Sequence, residues 1–284
     1  MRKSVLSLAL GAAFAVPSIA TAQAPAAAPA VTGNMSLVSD YRFRGIAQTF
    51  EKPALQGGFD FAHSSGLYVG NWNSNISEGA GFPQGNLEMD FYGGFKKSFG
   101  DLGLDVGAIY YYYPGTDANT ARGTTFANPR SGATHNGEVD NTEIYIGGTW
   151  KWITAKWYYS IGDYFSLPDT KGSHYLDLSA TYDLGSGWGV VGHFGTLKLK
   201  GWSAGTDASD GDYSDWKIGV TKDIGGWVFG AAYVDTNAKG SCSVANPGFY
   251  CFANDLPSPA VGTAGIKYKD AGKTTVVLSV SKSF

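Results

Sequence analysis

The sequence predicts an all-β chain: a single antiparallel transmembrane β-barrel of about 12 strands. Three observations predict it. Period-two alternation recurs along the chain, as in 274–284, where Val276, Leu278, Val280 and Phe284 share one face with Lys282. Thr275, Ser279, Ser281 and Ser283 share the other face with Val277. Such alternation marks a strand with one apolar and one polar side. After Ala30 no sustained i, i+3, i+4 apolar pattern occurs, and no apolar run is long enough for a membrane helix. The connections between alternating segments are by turns long and short, the loop asymmetry of an outer-membrane barrel.

The first residues are read as a leader. Arg2 and Lys3 precede an apolar run from Val5 to Val16 and then Ala20-Thr21-Ala22. That is a secretory signal peptide, 1–22, too short in its apolar run to be an anchor helix. Residues 23–33 are an Ala/Pro linker, and 34–284 form the barrel. Removing Arg2 and Lys3 leaves 19 basic residues of the original 21 against 24 acids, a net charge of −5. No basic patch remains, which argues against a nucleic-acid partner. Glycine numbers 40, and Tyr, Phe and Trp number 17, 16 and 8, a composition suited to closely packed strands with aromatic ends.

Twelve segments follow in order: 34–43, 54–63, 67–75, 86–96, 102–113, 141–152, 154–165, 173–184, 188–199, 213–223, 226–236 and 274–284. The even count is the one single-chain bacterial barrels use. A further stretch, 265–269, is read as an extension of the last strand or as part of a loop. Short connections fall at 64–66, 97–101, near Ile153, 185–187 and 225–226. Long ones fall near 44–53, 76–85, 114–140, 166–172, 200–212 and 237–273. Both termini then lie on the short-turn, periplasmic side. Trp150, Trp152, Trp157, Trp188 and Trp227 make one aromatic belt beside short turns. Tyr110 to Tyr113, Tyr41 with Phe43, and Tyr164 with Phe165 make a second belt on the long-loop side. Cys242 and Cys251, the only cysteines, are expected to form a loop disulfide in an exported chain.

Several stretches resemble the TorF-type family of outer-membrane porins: "SDYRFRGIAQTFEKPALQGGFDFAHSSGLYVGNW" (39–72), "NLEMDFYGGF" (86–95), "YYYYPG" (110–115), "YYSIGDYF" (158–165), "YLDLSATYDL" (175–184), "DWKIGVTKDIGG" (215–226) and "VLSVSKSF" (277–284). The resemblance spans nearly all of the chain after the linker. It implies a barrel in the outer membrane of a Gram-negative bacterium, surrounded by lipid and lipopolysaccharide. It also implies that the barrel-assembly machinery reads the terminal Phe284. A second copy of the chain, forming a homo-oligomer, is a candidate partner.

Alternation places Asp40, Arg42, Asp60, Glu88, Asp90, Lys96, Asp105, Glu143, Lys151, Lys156, Asp177, Asp215 and Lys217 in the lumen. Acids exceed bases, which predicts a porin-like channel for small polar solutes or ions with a mild cation preference. The barrel's size predicts an open, narrow channel. The alternative is a lumen closed by cross-paired charges and by Tyr92, Tyr111 and Tyr145, in a structural or adhesive barrel acting through its loops. Arg42 and Arg44 are candidates for an inner constriction, or for pairing with Asp40 and Asp60. An enzyme is the rival class. His63, His135, His174 and His193 show no Ser–His–carboxylate spacing, and no G-x-S-x-G occurs, so no catalytic set is expected. No cofactor or metal is expected. The aspartates of "DASDGDYSD" lack EF-hand spacing and read as a solvated acidic loop.

Overall fold

The computed structural model describes residues 30–117, 137–201, 211–243, 248–254 and 267–284. The signal peptide and most of the linker therefore lie outside the described residues. So do much of the 114–140 loop and parts of the 200–212 and 237–273 loops.

Twelve strands form one closed antiparallel barrel. They are β1 Ala30–Val38, β2 Ala54–Ala62, β3 Leu67–Asn75, β4 Leu87–Phe99, β5 Leu102–Tyr113 and β6 Val139–Trp150. β7 Ile153–Ser160, β8 His174–Gly185, β9 Trp188–Lys198, β10 Tyr213–Ile224, β11 Trp227–Thr236 and β12 Thr275–Ser283 complete the circuit. Each strand pairs with its sequence neighbours, and β12 closes on β1 with Leu37 opposite Val280 and Met35 opposite Lys282. Closure leaves no open sheet edge. The terminal Phe284 is held in that seam: its backbone N–H donates to Gly33 O at 2.9 Å, and Gly33 N–H donates back at 2.7 Å.

The alternation sorts side chains onto two surfaces. Leu278, Ile218, Phe194, Leu178, Ile146 and Phe59 stand exposed on the outer wall, while their strand neighbours point inward. No described helix is long and apolar enough to cross a membrane. The short connections are tight, 100–101, 151–152, 186–187 and 225–226, with 63–66 slightly longer. At 225–226 both residues are left-handed glycines, φ 63° and 83°. That two-residue turn matches the twist of the strands it joins.

The outer aromatics form a ring beside the short turns, with a smaller group toward the long loops. Trp150, Trp152, Trp188 and Trp227 are exposed beside the short turns. Lys282 lies 4.8 Å from the Trp227 ring, so its charge sits at the interface level and is compensated there. Trp157 differs from expectation. It stands away from the turn, packed against Tyr159 and His174, because it lies four residues into β7. The run Tyr110–Tyr113 is split by the pleat: Tyr110 and Tyr112 stack on the outer face, and Tyr111 and Tyr113 are buried inside. Tyr41, Tyr164 and Phe165 are also buried inside, so they do not belong to the belt.

Two segments expected as strand or outer loop fold into the barrel. β1 ends at Val38, and 39–53 turns inward around a small pairing of Arg42–Phe43 with Ile46–Ala47. Tyr41 N–H donates to Thr49 Oγ1 at 3.1 Å and Gln48 N–H to Tyr41 O at 2.8 Å, which ties the segment to itself. Likewise β7 ends at Ser160, and a 3-10 turn at Tyr164–Ser166 follows, with Phe165 at φ 47°. Burying Tyr41, Phe43, Ile46 and Phe165 among the lumen's rings removes them from water, which favours the inward course.

Of the stretch 265–269, residues 265 and 266 lie outside the described residues, and 267–269 add no barrel strand. Tyr268–Asp270 pairs with Cys251–Ala253 outside the barrel, where Cys242 and Cys251 are bonded. The bond closes only a short loop on this outer hairpin. Reducing it is expected to speed proteolysis of 237–273 while leaving the gel mobility of unheated, folded barrel unchanged. A comparison with and without dithiothreitol checks this.

Candidate functional site

Because successive side chains alternate, every inner residue of the twelve strands faces one shared lumen. The inward segment 39–53 enters it from the long-loop end. Gly45, at φ 80°, is its tightest point: a Cβ there would lie 2.5 Å from Thr236 Cγ2 and 2.7 Å from Asp215 Cβ. Only glycine fits that approach and that conformation.

Arg44 occupies the centre. Its guanidinium forms a bidentate pair with Glu143 of β6, Nη1 to Oε1 at 2.9 Å and Nη2 to Oε2 at 2.7 Å. Nη1 also donates to Tyr164 Oη at 3.2 Å, and Tyr213 Oη donates to the Arg44 carbonyl at 2.8 Å. Burial pulls the guanidinium toward its neutral form, but the Glu143 carboxylate together with Tyr164 and Tyr111 outweighs it and holds the charge above its ordinary range. Arg42 pairs instead with Asp40 at 2.6 Å and donates to Ala271 and Lys273 carbonyls. Burial pushes the Asp40 carboxyl up, against the opposing pull of Arg42. The two arginines therefore do not share a face: one braces the segment's root, the other spans the lumen.

Removing one partner of a buried ion pair leaves an uncompensated charge and costs about 3–5 kcal/mol. Glu143→Ala is expected to lower unfolding stability by that amount, and adding Arg44→Ala to restore part of it. Urea titration of both variants in lipid vesicles measures this.

Four further clusters line the wall. Asp105 of β5 accepts from Tyr68 Oη at 2.6 Å and pairs with Lys156 Nζ at 2.6 Å. Tyr68 and Tyr145 hydroxyls bond to each other, and Lys96 and Lys156 each lie 4.4 Å from a tyrosine ring, Tyr68 and Tyr145 respectively. Asp60 accepts from Tyr92 Oη at 2.6 Å. On β4, Glu88 accepts from Tyr41 Oη at 3.1 Å and shares the inner face with Asp90.

The last cluster surrounds His193 of β9, which spacing did not single out. Nε2 lies 2.8 Å from Asp215 Oδ1 and 3.0 Å from Tyr175 Oη, while Nδ1 lies 3.1 Å from Ser179 Oγ and 3.4 Å from Asp177 Oδ1. A Ser–His–Asp set is thus assembled by strand register, from β8, β9 and β10. Its geometry does not make a nucleophile. Ser179 Oγ donates to Asp177 at 2.5 Å, and both imidazole nitrogens face carboxylate oxygens, so neither is a free base for the serine proton. Lys217 of β10 is buried on the same face as Asp215.

Lys151 is the one lumen candidate the structure places elsewhere. It is exposed in the 151–152 turn at φ 55°, 4.9 Å from the Trp150 ring, because the alternation stops where β6 ends. Of the "DASDGDYSD" aspartates, Asp207 and Asp210 lie outside the described residues. Asp212 pairs with exposed Lys198 at 3.0 Å, while Asp215 enters the lumen. Among the described residues, no three or more His, Cys, Asp or Glu side chains are grouped to hold a metal.

The mid-lumen is filled rather than open. Glu143 is 0% exposed, Glu88 1% and Asp215 2%, so a water-sized sphere does not reach them. At this level aromatic rings and the inward segment occupy the space among the described residues.

A family model described as "Bacterial protein of unknown function (Gcw_chp)" matches residues 22–284. The chain belongs to this family. No curated protein matches it. Among solved structures, this Gcw_chp chain is similar in fold to the KdgM porin in complex with disordered oligogalacturonate. That match has 6% identity, covers 89% of this chain and 98% of the other, and has a TM-score of 0.44. It is also similar to the toluene transporter TodX of Pseudomonas putida, at 10% identity, 89% of each chain and a TM-score of 0.41. A third is the COG4313 outer membrane channel from Pseudomonas putida F1, at 9% identity, 90% and 96% coverage and a TM-score of 0.41.

Proposed function

We propose that this chain is a porin-like channel of the Gram-negative outer membrane, admitting small ions or polar solutes with a mild cation preference. The observation that carries the proposal is the two-sided wall, apolar with aromatic rings outside and charged within. Asp40, Asp60, Glu88, Asp90, Asp105, Glu143, Asp177 and Asp215 face inward against Arg42, Arg44, Lys96, Lys156 and Lys217, an excess of acids. Rings of acids favour cation passage. The TorF-type resemblance of the strand segments supports the same reading. On it, residues 1–22 are removed on export, both termini face the periplasm, and Phe284 is the residue the assembly machinery reads. On this reading the conducting state requires the 39–53 segment to move, since its middle, 40–50, packs inside the lumen as folded. Planar-bilayer recording under a salt gradient tests the proposal. The expected result is conductance steps with a cation-selective reversal potential; silence of folded, inserted protein with and without the segment overturns it.

A second reading, a non-conducting barrel acting through its surface loops, is favoured by the buried mid-lumen. Deleting the outer hairpin around Cys242 and Cys251 would then abolish surface attachment of cells carrying the protein.

A further inference from the structure

The surroundings of Arg44 are those of a bound ligand. Beneath its guanidinium lies the fully buried Glu143 carboxylate, engaging both terminal nitrogens. Around it stand aromatic rings: its Cζ lies 4.3 Å from the Tyr175 centroid, 5.2 Å from Tyr158 and 6.0 Å from Tyr164. These rings belong to β8, β7 and the following inward turn, so they remain when 39–53 moves. A fourth ring, Phe43 at 4.8 Å, travels with the segment. Tyr111 Oη donates to Glu143 Oε2 at 3.3 Å and Ser160 Oγ to Oε1 at 3.5 Å, which fix the carboxylate from the wall side. A planar carboxylate with aromatic walls recognises a planar, weakly hydrated cation.

We propose that Glu143, Tyr158, Tyr164 and Tyr175 form a binding site for alkylguanidinium cations, which Arg44 of the inward segment occupies in the closed barrel. A soluble alkylguanidinium competes for the same carboxylate and rings, and its binding releases the segment. Arg44 holds a left-handed φ of 49° and is followed by Gly45, so the segment is seated by this contact against local backbone strain. The proposal rests on the channel reading for its consequence in permeation, but the site itself does not depend on conduction.

The test uses ethylguanidinium chloride on full-length mature protein refolded in vesicles. In Arg44→Ala the site is empty and Glu143 is unpaired. Millimolar ethylguanidinium is expected to raise the melting temperature of this variant, and equal concentrations of sodium chloride are not. Calorimetric titration is expected to give at least tenfold tighter binding to Arg44→Ala than to wild type. Binding should fall at least tenfold when Glu143→Gln is added. If Arg44→Ala does not fold alone, the readout is its refolding yield with ethylguanidinium against sodium chloride. Arg44→Met, which keeps the apolar stem, serves as the second variant. No rescue and no binding in either variant overturns the site. Rescue without any bilayer current keeps the site and overturns the channel reading; current without rescue does the reverse.

Discussion

Replacing residues 41–50 with a Gly/Ser linker converts the barrel from closed to conducting, with current steps in planar bilayers where the parent is shut or nearly so. The segment contributes Arg44, which spans the lumen, the buried ring of Tyr41 and the partly buried ring of Phe43. Without them the level of Glu143 is lined by polar side chains and tyrosine hydroxyls, which water can solvate. The same change weakens the fold, because each buried apolar side chain removed forfeits roughly 1.5–3 kcal/mol. Tyr41, Ile46 and Phe50 are all buried in the described structure, so the variant should melt lower while conducting more. A variant that melts lower yet passes no current would show that the rest of the lumen is itself closed.

Ile218→Arg is expected to destabilise the folded barrel by about 2–4 kcal/mol, the effect of a cationic side chain at the bilayer midplane. Ile218 lies at the middle of β10, points outward and is 58% exposed. Its neighbour Lys217 points into the lumen and is buried there, so one step along the strand exchanges hydrocarbon for a polar interior. Ile224→Arg, on the same face but beside the short turn, supplies the depth control, and its cost should be about 0–1 kcal/mol. Urea-driven unfolding from vesicles of defined thickness gives both numbers. Equal penalties at the two positions would contradict a membrane around this wall.

The wall was legible in the sequence because its cause is local. Period-two alternation in 86–96 or 213–223 fixes which side chains share a face, and turn residues such as Gly225-Gly226 fix where strands reverse. The lumen's contents were legible only as a list. Arg44 meets Glu143 across 99 residues of sequence, and His193 meets Asp177 and Asp215 through register between three strands, which no spacing rule carries. The inward segment escapes a local reading of the sequence for a related reason. The alternation of Asp40-Tyr41-Arg42-Phe43 reads on as strand past the strand's end at Val38, and what diverts the chain is the packing of Tyr41 and Phe43 against distant rings. Tyr111 is legible as a lumen residue, and Tyr113 by the same rule, because four consecutive tyrosines in a strand cannot all face the same way.

The central claim is that alternate residues meet two different media, hydrocarbon outside and packed polar contacts within. Nitroxide labels placed singly along 275–283 in vesicle-inserted protein test it most directly, by their collision rates with oxygen and with a water-soluble nickel chelate. Labels at Val276, Leu278 and Val280 should be reached by oxygen and shielded from nickel, and labels at Val277, Ser279 and Ser281 should be shielded from oxygen. Equal rates along the strand, or nickel access at Leu278, would contradict it.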